Sequence, residues 1–261
     1  MKPLAGQTIT FIGSGNVATH LAVGLKKAGM VIDTVWSPDK NNRNKLADLL
    51  QTNAVHSIEE LSLNSDFYII AVPDDKIAEV VNALPQVNGI IAHTSGITTL
   101  SSISARFANS GVFYPLQTFS ISKEVNLKEV PFCIEGNNDD ACQQLYHLAQ
   151  TISNKVYKIS SEERKKLHLA AVFVSNFVNH LYHSAEDILN SNNLSFELLK
   201  PLIEEVATKV MNLSPANAQT GPARRKDSKT ISIHEEMLKH HPDYLKLYEL
   251  ITRQISKRYE L

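Results

Sequence analysis

Residues 11–21 read FIGSGNVATHL, and this stretch decides the fold, because two glycines join a short apolar run to a segment with helical spacing. The order strand, Gly-x-Gly-x-x-Ala over residues 13–18, helix is the context in which such a pattern binds a dinucleotide. Gly13 permits the tight turn, Gly15 lets the backbone approach a diphosphate, and Ala18 keeps the helix near the sheet. The alternative is a strand-to-helix corner that merely needs glycine. We predict that the free N–H groups at the helix start hold a diphosphate.

Up to about residue 160, short β-rich runs alternate with amphipathic stretches. The strand-like runs cover residues 7–13, 31–37, 66–73, 89–96, 112–119 and 131–136, and the helix-like stretches 16–29, 42–51, 75–84 and 139–152. This alternation indicates an α/β fold with a doubly wound parallel sheet. The strand signal stops near residue 160 and a helical pattern continues to the end. The sequence therefore predicts a dinucleotide-binding domain over residues 1–158 and a smaller all-α domain over residues 159–261.

The first predicted helix of the second domain begins after Ser160 or Ser161, where the following acidic pair supplies a helix-start signal. Apolar residues recur there at steps of three and four and predict one buried stripe. The stripe comprises Leu167, Ala171, Val174, Val178, Leu181, Ala185 and Ile188.

Composition excludes several functional classes. The net charge of −1 gives no reason to expect a nucleic acid or an acidic membrane surface as partner. No apolar run has the length of a membrane span, and the N-terminal segment lacks the features of a secretory signal. Cys133 and Cys142 are the only cysteines, so we expect neither a disulfide framework nor a thiolate metal site. These features fit a cytoplasmic enzyme or binding protein.

The tip of the second strand bears on the choice between the two nicotinamide dinucleotides. An NAD site usually places Asp or Glu there to bind the ribose hydroxyls. Here the tip reads Trp36-Ser37-Pro38, with Lys40 and Arg43 just beyond. A hydroxyl and nearby cations accept a 2′-phosphate, whereas a carboxylate repels it. We therefore predict NADP rather than NAD, with Ser37 near the adenosine ribose; the alternative is that both cations are merely solvated.

Polar residues follow three further predicted strands. Residues 71–75 read AVPDD, a loop that normally passes close to the cofactor, so Val72 and Pro73 are candidate cofactor contacts. The segments His93–Gly96 and Tyr114–Phe119 follow the next two strands. Because ligands bind beyond the carboxyl ends of the strands in doubly wound sheets, we expect these loops to line one site. Ordinary loops also favour such residues.

The helical domain carries two polar insertions. His168, Ser175, Asn176 and Asn179 interrupt an apolar helix, either as site residues or as hydrogen-bonded core residues. The second insertion is TGPARRKD at residues 220–227, where Arg225 either grips a substrate carboxylate in a cleft between the domains or is simply exposed. His180 and His183 have metal-ligand spacing, but a third ligand is not evident, so we predict no metal.

Taken together, GSGNVA, AVPDDKI, HTSG, PLQTF, LHLAAVFVSN and TGPARRKD followed by His234 resemble a family assigned as NADP oxidoreductases. The family joins a Rossmann-like domain to a helical domain of the 6-phosphogluconate dehydrogenase C-terminal type. It resembles pyrroline-5-carboxylate reductase and the deazaflavin-dependent NADP reductases. The resemblance implies the fold, NADP as cofactor and a homodimer formed through the helical domain. This chain departs from it at Tyr114, where the family often has His, and at Pro38, where it often has Arg.

The sequence thus predicts an NADP-dependent oxidoreductase that transfers hydride to or from a small polar substrate in the cleft between the domains. The alternative is a non-catalytic dinucleotide-binding sensor on the same fold. We expect His168 to exchange the proton, because an imidazole titrates near neutral pH. The predicted catalytic residues are His168, Ser95 and Asn176; the cofactor-binding residues are Gly13, Ser14, Gly15, Asn16, Val17, Ser37, Val72, Pro73, Ser95 and Gly96; the substrate-binding residues are Tyr114, Gln117 and Arg225.

Overall fold

The computed structural model describes residues 5–259 and contains one eight-stranded sheet within that range. Its strands are β1 (Thr8–Ile12), β2 (Val31–Trp36), β3 (Asn53–Ala54), β4 (Phe67–Ile70), β5 (Ile90–His93), β6 (Ser110–Pro115), β7 (Pro131–Gly136) and β8 (Lys155–Lys158). The spatial order is β3-β2-β1-β4-β5-β6-β7-β8. The order of the first six strands is that of a doubly wound dinucleotide-binding fold, which confirms the predicted fold class.

Helices follow most of the strands. They are α1 (Asn16–Lys27), α2 (Lys40–Leu50), α3 (Ile77–Ala83), α4 (Ser101–Ser104), α5 (Asp139–Ile152), α6 (Ser161–Val172), α7 (Val178–Asn190), α8 (Lys200–Asn212), α9 (Pro215–Ala218), α10 (Pro222–Arg225), α11 (Ser228–Leu238) and α12 (Pro242–Arg258). A π-helical segment, Phe173–Phe177, joins α6 to α7. Ser160 is the residue that caps α6, through a capping box with Glu163. Within residues 5–259, no helix has both the length and the apolar character needed to cross a membrane.

One strand pair departs from the predicted parallel sheet. β7 runs antiparallel to β6, with Tyr114 opposite Cys133. The chain between these strands contains only a short 3-10 segment, Leu127–Glu129, and no α-helix that would carry it back across the sheet. Parallel neighbours need such a crossover, so the chain returns in the opposite direction. The short strands β3 and β8 were not predicted from the sequence.

The hydrophobic core lies on both faces of the central strands. On one face Phe11, Phe67 and Ile69 pack with α1 and α5 residues such as Leu21 and Leu145. On the other face Ile12, Tyr68 and Ile91 pack with α3 residues. Strands β1, β4 and β5 are therefore apolar on both sides, as central parallel strands covered by helices are.

The chain divides into two compact units, Met1–Asn176 and Phe177–Leu261. The division falls within the π-helical segment, so the first unit contains the whole sheet and all of α6. The border that the sequence predicts after residue 158 marks the change from strands to helices. That residues 1–158 form the dinucleotide-binding domain and residues 159–261 the smaller all-α domain stays a prediction.

The second unit buries few side chains within its own chain. Among its residues up to Tyr259, only Ser184 and Ala223 are buried. The predicted buried stripe is wrong for the single chain, because none of its members is buried and Val174 is 75% exposed. The periodicity correctly identifies an apolar face, but the described residues leave that face only partly covered.

Candidate functional site

The glycine turn lies where the strand order of the sheet reverses, between β1 and β4. Gly13 has φ of +120°, and its N–H donates to the Trp36 carbonyl oxygen over 2.7 Å. A Cβ at Gly13 would lie 2.2 Å from the Ala71 carbonyl oxygen, so only glycine fits. A Cβ at Gly15 would meet no atom within 4 Å. The two glycines therefore serve different purposes: Gly13 permits close packing with the loop after β4, and Gly15 keeps open space beside the backbone.

The start of α1 has the features of an anion site. Gly15 is the N-cap and no side chain caps the helix. Because the first helical bond runs from Thr19 N–H to the Gly15 carbonyl, the N–H groups of residues 16–18 have no acceptor within the helix. Ser14 is buried in the turn. The backbone of this turn thus fits a dinucleotide diphosphate, which would bind at the positive end of the helix.

The loop after β6 is held beside this helix start. The Asn16 side chain donates to the Phe119 carbonyl oxygen over 2.8 Å, and a ring nitrogen of His20 lies 3.0 Å from the Ser120 carbonyl oxygen. Gln117 is exposed in this loop, and its side-chain oxygen accepts a bond from Thr118 N–H. Asn16 therefore contributes its backbone to the helix start, while its side chain positions the neighbouring loop.

At the tip of β2, a buried guanidinium supports the backbone. Arg43 donates to the Ser37 carbonyl oxygen over 3.2 Å and to Nδ1 of His56 over 2.9 Å. The two carboxylates near this tip are engaged elsewhere. Asp39 caps α2, and Asp33 accepts a bond from Ser65. The guanidinium thus lies behind the backbone of the tip, and both nearby carboxylates accept hydrogen bonds, an arrangement compatible with a 2′-phosphate beside Ser37.

Tyr114, His168 and Gly96 meet in the first unit. The Tyr114 hydroxyl lies 3.1 Å from Nδ1 of His168, with the two rings edge to face. A Cβ at Gly96 would lie 2.5 Å from the same ring nitrogen, so glycine is required for the imidazole to pack there. Burial raises the pKa of Tyr114 to about 12, which keeps the phenol protonated at neutral pH. The structure therefore brings together a predicted catalytic residue, His168, a predicted cofactor-binding residue, Gly96, and a predicted substrate-binding residue, Tyr114.

Hydrogen bonds among its own residues stabilise the loop after β5. The Ser95 hydroxyl accepts bonds from the N–H groups of Ile97 and Thr98, and Ser95 N–H donates to Nδ1 of His93. His93 is fully buried, and its Nε2 has no hydrogen-bond partner. Burial, with a further contribution from the charge of Arg164, lowers the pKa of His93 to about 4. His93 is therefore a neutral structural group, and the Ser95 hydroxyl shapes the loop; a catalytic role for Ser95 stays a prediction.

Sequence reasoning missed Arg164, one helical turn before His168. Its side chain is fully buried and donates to Glu135 over 2.5 Å and to the Thr98 carbonyl oxygen over 2.5 Å. The SEERKK run that contains it reads as a solvated helix start, and nothing in that run separates a buried cation from an exposed one. The spacing of four residues to His168 was the one available signal, since such residues share a helix face.

The other predicted residues occupy a loop, the π-helical segment and the second unit. Val72 would contact a Cβ at Gly13, and Pro73 is exposed in the loop after β4. Asn176 is exposed in the π-helical segment. In the second unit, Arg225 is exposed at the end of α10, and Asp227 caps α11. Within residues 5–259, no group of three or more His, Cys, Asp or Glu side chains is placed to hold a metal ion.

Two separate segments of the chain match known protein families. Residues 8–94 match the family described as NADP oxidoreductase, coenzyme F420-dependent, and residues 130–255 match a domain of unknown function, DUF2520. A Bacteroides fragilis protein described as a proposed NADP oxidoreductase is 38% identical, with a TM-score of 0.93 over 98% of this chain and 100% of that chain. A search of curated proteins found no match.

More distant solved structures share the fold. An imine reductase from Myxococcus stipitatus in complex with NADP+ is 13% identical, with a TM-score of 0.66 over 96% of this chain and 94% of that one. A pyrroline-5-carboxylate reductase from Streptococcus pyogenes is 12% identical, with a TM-score of 0.65 over 97% and 99%. The full-length similarity to the Bacteroides protein and the two matched domains agree. The chain therefore belongs to the NADP oxidoreductase family in which a coenzyme F420-dependent NADP oxidoreductase domain precedes a DUF2520 domain.

Proposed function

We propose that this protein binds NADP at the glycine turn and transfers hydride between the cofactor and a small polar carbonyl or imine compound. The observation that carries the proposal is the uncapped start of α1 at the switch point of the sheet. The diphosphate would bind the N–H groups of this turn, and Ser37 would lie near the adenosine ribose. The remaining proposed cofactor contacts are Val72, Pro73, Ser95 and Gly96.

The choice of NADP over NAD rests on the charge at the β2 tip. Arg43 supplies a cation directly behind Ser37, while Asp33 and Asp39 are engaged in other bonds. A 2′-phosphate beside Ser37 would gain from that charge, and an unphosphorylated ribose would gain less.

The proton transfer is assigned to His168. When bound, the nicotinamide supplies or accepts the hydride. As a C=O or C=N carbon gains hydride, its oxygen or nitrogen takes up a proton, and His168 supplies it. Tyr114 holds one ring nitrogen of His168 and thereby fixes the orientation of the imidazole. Gln117, Asn176 and Arg225 remain proposed substrate-orienting residues, and their contributions are tested by substitution.

We further propose that two copies associate through the second unit. Leu202, Val206 and Val210 recur every four residues on α8, and no residue of that helix is buried. Among its described residues this unit buries only Ser184 and Ala223, which is too little core for it to be stable alone. A second copy would supply the missing apolar contacts, in an interface of the size typical of obligate dimers.

The test is to measure NADPH and NADH binding by fluorescence titration and by the shift of melting temperature. NADPH oxidation is then screened against panels of carbonyl and imine compounds. We expect NADPH to bind more tightly than NADH, and His168→Ala to abolish turnover while leaving NADPH affinity within about threefold. His147→Ala, on α5, is the matched control. Absence of NADPH binding would overturn the cofactor assignment. Tight binding without turnover on either panel would favour the sensor instead.

A further inference from the structure

Arg164 is the largest side chain that is fully buried in the described part of the chain. Burying a guanidinium is unfavourable unless its charge is paired and its N–H groups find acceptors. Two of its nitrogens do so, on Glu135 and on the Thr98 carbonyl oxygen, whereas Nε has no partner. Replacing a buried ion pair by apolar residues is often neutral or stabilising, so the pair is weak evidence for a purely stabilising role.

The bonds of Arg164 join three separate elements. Glu135 lies on β7, Thr98 lies in the loop that follows β5, and Arg164 itself lies on α6. Ser161 adds to the connection, because its hydroxyl donates to Glu135 over 2.7 Å and accepts from Leu100 N–H over 3.1 Å. The first turn of α6 is therefore bonded both to the sheet and to the loop of residues 95–100.

The same loop and the same helix carry the groups that meet at the site. His168 follows Arg164 by four residues, so the two side chains share one face of α6. Gly96 opposes the His168 ring, and the Tyr114 hydroxyl contacts it. At the other end of the loop, Ser95 is bonded to Ile97, Thr98 and His93. A shift of α6 against the loop would therefore change the packing of His168 on Gly96 and its contact with Tyr114.

We propose that Arg164 is a positioning residue: with Glu135 and Ser161 it sets α6 against the loop after β5, and so places His168 against Gly96 and Tyr114. This proposal deepens the proposed function, since it concerns the group that is assigned the proton transfer. Arg164 itself does not contact the substrate, because its side chain is fully enclosed.

The experiment reads the geometry of the pair directly, by nuclear magnetic resonance of the full-length protein with labelled Tyr and His. The ring centroids of Tyr114 and His168 are 6.1 Å apart, so a through-space cross-peak between their ring protons is expected in the wild type. Arg164→Lys retains the charge but cannot form the same fork of bonds. We expect the cross-peak to be lost in this variant while the protein remains folded. Arg106→Lys is the control, because Arg106 also donates to a loop carbonyl oxygen, that of Leu84, elsewhere in the same unit.

Ser161→Ala provides a milder second variant, because it removes the bonds of the Ser161 hydroxyl to Leu100, Glu135 and Arg164 but leaves the guanidinium paired with Glu135 and bonded to the Thr98 carbonyl oxygen. We expect Ser161→Ala to weaken the cross-peak. If Arg164→Lys does not fold, Ser161→Ala becomes the test of the positioning role. A folded Arg164→Lys protein with an unchanged cross-peak would overturn the proposal, as would an unchanged cross-peak in Ser161→Ala when Arg164→Lys is unfolded. NADPH titration of the wild type separates the proposed function from the positioning role of Arg164. A protein that does not bind NADPH refutes the proposed function, whereas the cross-peak between Tyr114 and His168 still tests the positioning role.

Where the substrate panels identify a turnover reaction, a second readout applies. We expect Arg164→Lys to lower kcat about tenfold with little change in KM, because misplacing a proton-transfer group affects the chemical step. Equal activity of the folded Arg164→Lys protein and the wild type would count against the positioning role.

Discussion

The hydroxyl of Tyr114, at the end of β6, lies 3.1 Å from Nδ1 of His168 on α6, although 54 residues separate them in sequence. The contact requires the glycine at position 96, which leaves room for the imidazole. Tyr114 also clusters with Cys133 and Leu167, where α6 packs on the sheet. A phenol held protonated by burial is thus paired with the side chain that is proposed to exchange the proton.

Tyr114→Phe removes the hydroxyl and leaves the ring packing intact. We expect kcat to fall about 10-fold to 100-fold, because His168 loses the bond that orients it. The NADPH dissociation constant should change less than about twofold, since Tyr114 is not a proposed cofactor contact. Tyr68→Phe is the control, because Tyr68 is a buried tyrosine whose hydroxyl bonds backbone groups of Ser62 and Ser65. Wild-type kcat in Tyr114→Phe would show that the contact has no role in turnover.

Gly13→Ala and Gly15→Ala are expected to have different effects: the first lowers stability, and the second lowers NADPH affinity. At Gly13 the added Cβ clashes with the Ala71 carbonyl oxygen and φ is positive, so stability should fall by about 2 kcal/mol or more. At Gly15 the added Cβ meets no protein atom, so the melting temperature should fall less than in Gly13→Ala while NADPH affinity falls about tenfold. Thermal unfolding with and without NADPH measures both effects. Equal NADPH affinity in Gly15→Ala and the wild type would contradict a diphosphate site at this turn.

Arg43→Gln tests the basis of cofactor preference. Glutamine keeps a donor that reaches toward the Ser37 carbonyl oxygen but removes the positive charge. We expect NADPH affinity to fall about tenfold and NADH affinity to stay within about twofold, because only NADPH carries the 2′-phosphate. Titrations at two salt concentrations measure the electrostatic part. A similar loss for both cofactors would assign Arg43 to backbone support alone.

His93 predicts a pH dependence of stability. Its pKa in the folded protein, about 4, lies below the ordinary value of 6.5. Between these pH values the unfolded chain binds a proton that the folded protein does not, so stability is complete above pH 6.5 and is lost as the pH falls toward 4. We expect His93→Gln to reduce the difference in unfolding free energy between pH 7 and pH 4.5 by about 2 kcal/mol, measured with urea. A pH dependence that is unchanged in this variant would show that other groups cause it.

Val206→Asp tests association through the second unit. A carboxylate on the exposed apolar face of α8 would be buried without a partner in a dimer, so we expect a monomer with a lower melting temperature. Light scattering coupled to size-exclusion chromatography measures the mass. Leu49→Asp is the control, because Leu49 is a similarly exposed apolar residue on α2 of the first unit. A dimer of unchanged stability in Val206→Asp would move the interface elsewhere.

The glycine turn and the central strands could be predicted from the sequence because their signals are local. Gly13, Gly15 and the apolar runs of β4 and β5 report on backbone conformation and on burial from both faces. β3 was missed because two residues carry no periodicity, and β8 because the segment Lys155–Lys158 is largely exposed. The reversed direction of β7 depends on a loop without a crossover helix, and strand sequence does not encode direction.

In the site, too, residues with a local sequence signal could be predicted, whereas residues placed by tertiary contacts could not. His168 was selected because a histidine interrupts an apolar helix, and that signal is local. The partners of Arg164 lie on β7 and in the loop after β5, so its burial follows from tertiary contacts that no local pattern reports. The apolar stripe of α6 and α7 was predicted to be buried, and none of its members is buried in the single chain. The sequence of one chain does not distinguish cover by its own helices from cover by a second copy.

The scarcity of enclosed side chains after residue 176 bears on how the polypeptide matures during synthesis. The sheet region leaves the ribosome first and has its own interior, so it can fold while translation continues. In the proposed dimer, the helices that follow would bury their apolar faces by meeting another newly made polypeptide, so the yield of native protein would depend on how often nascent copies encounter one another.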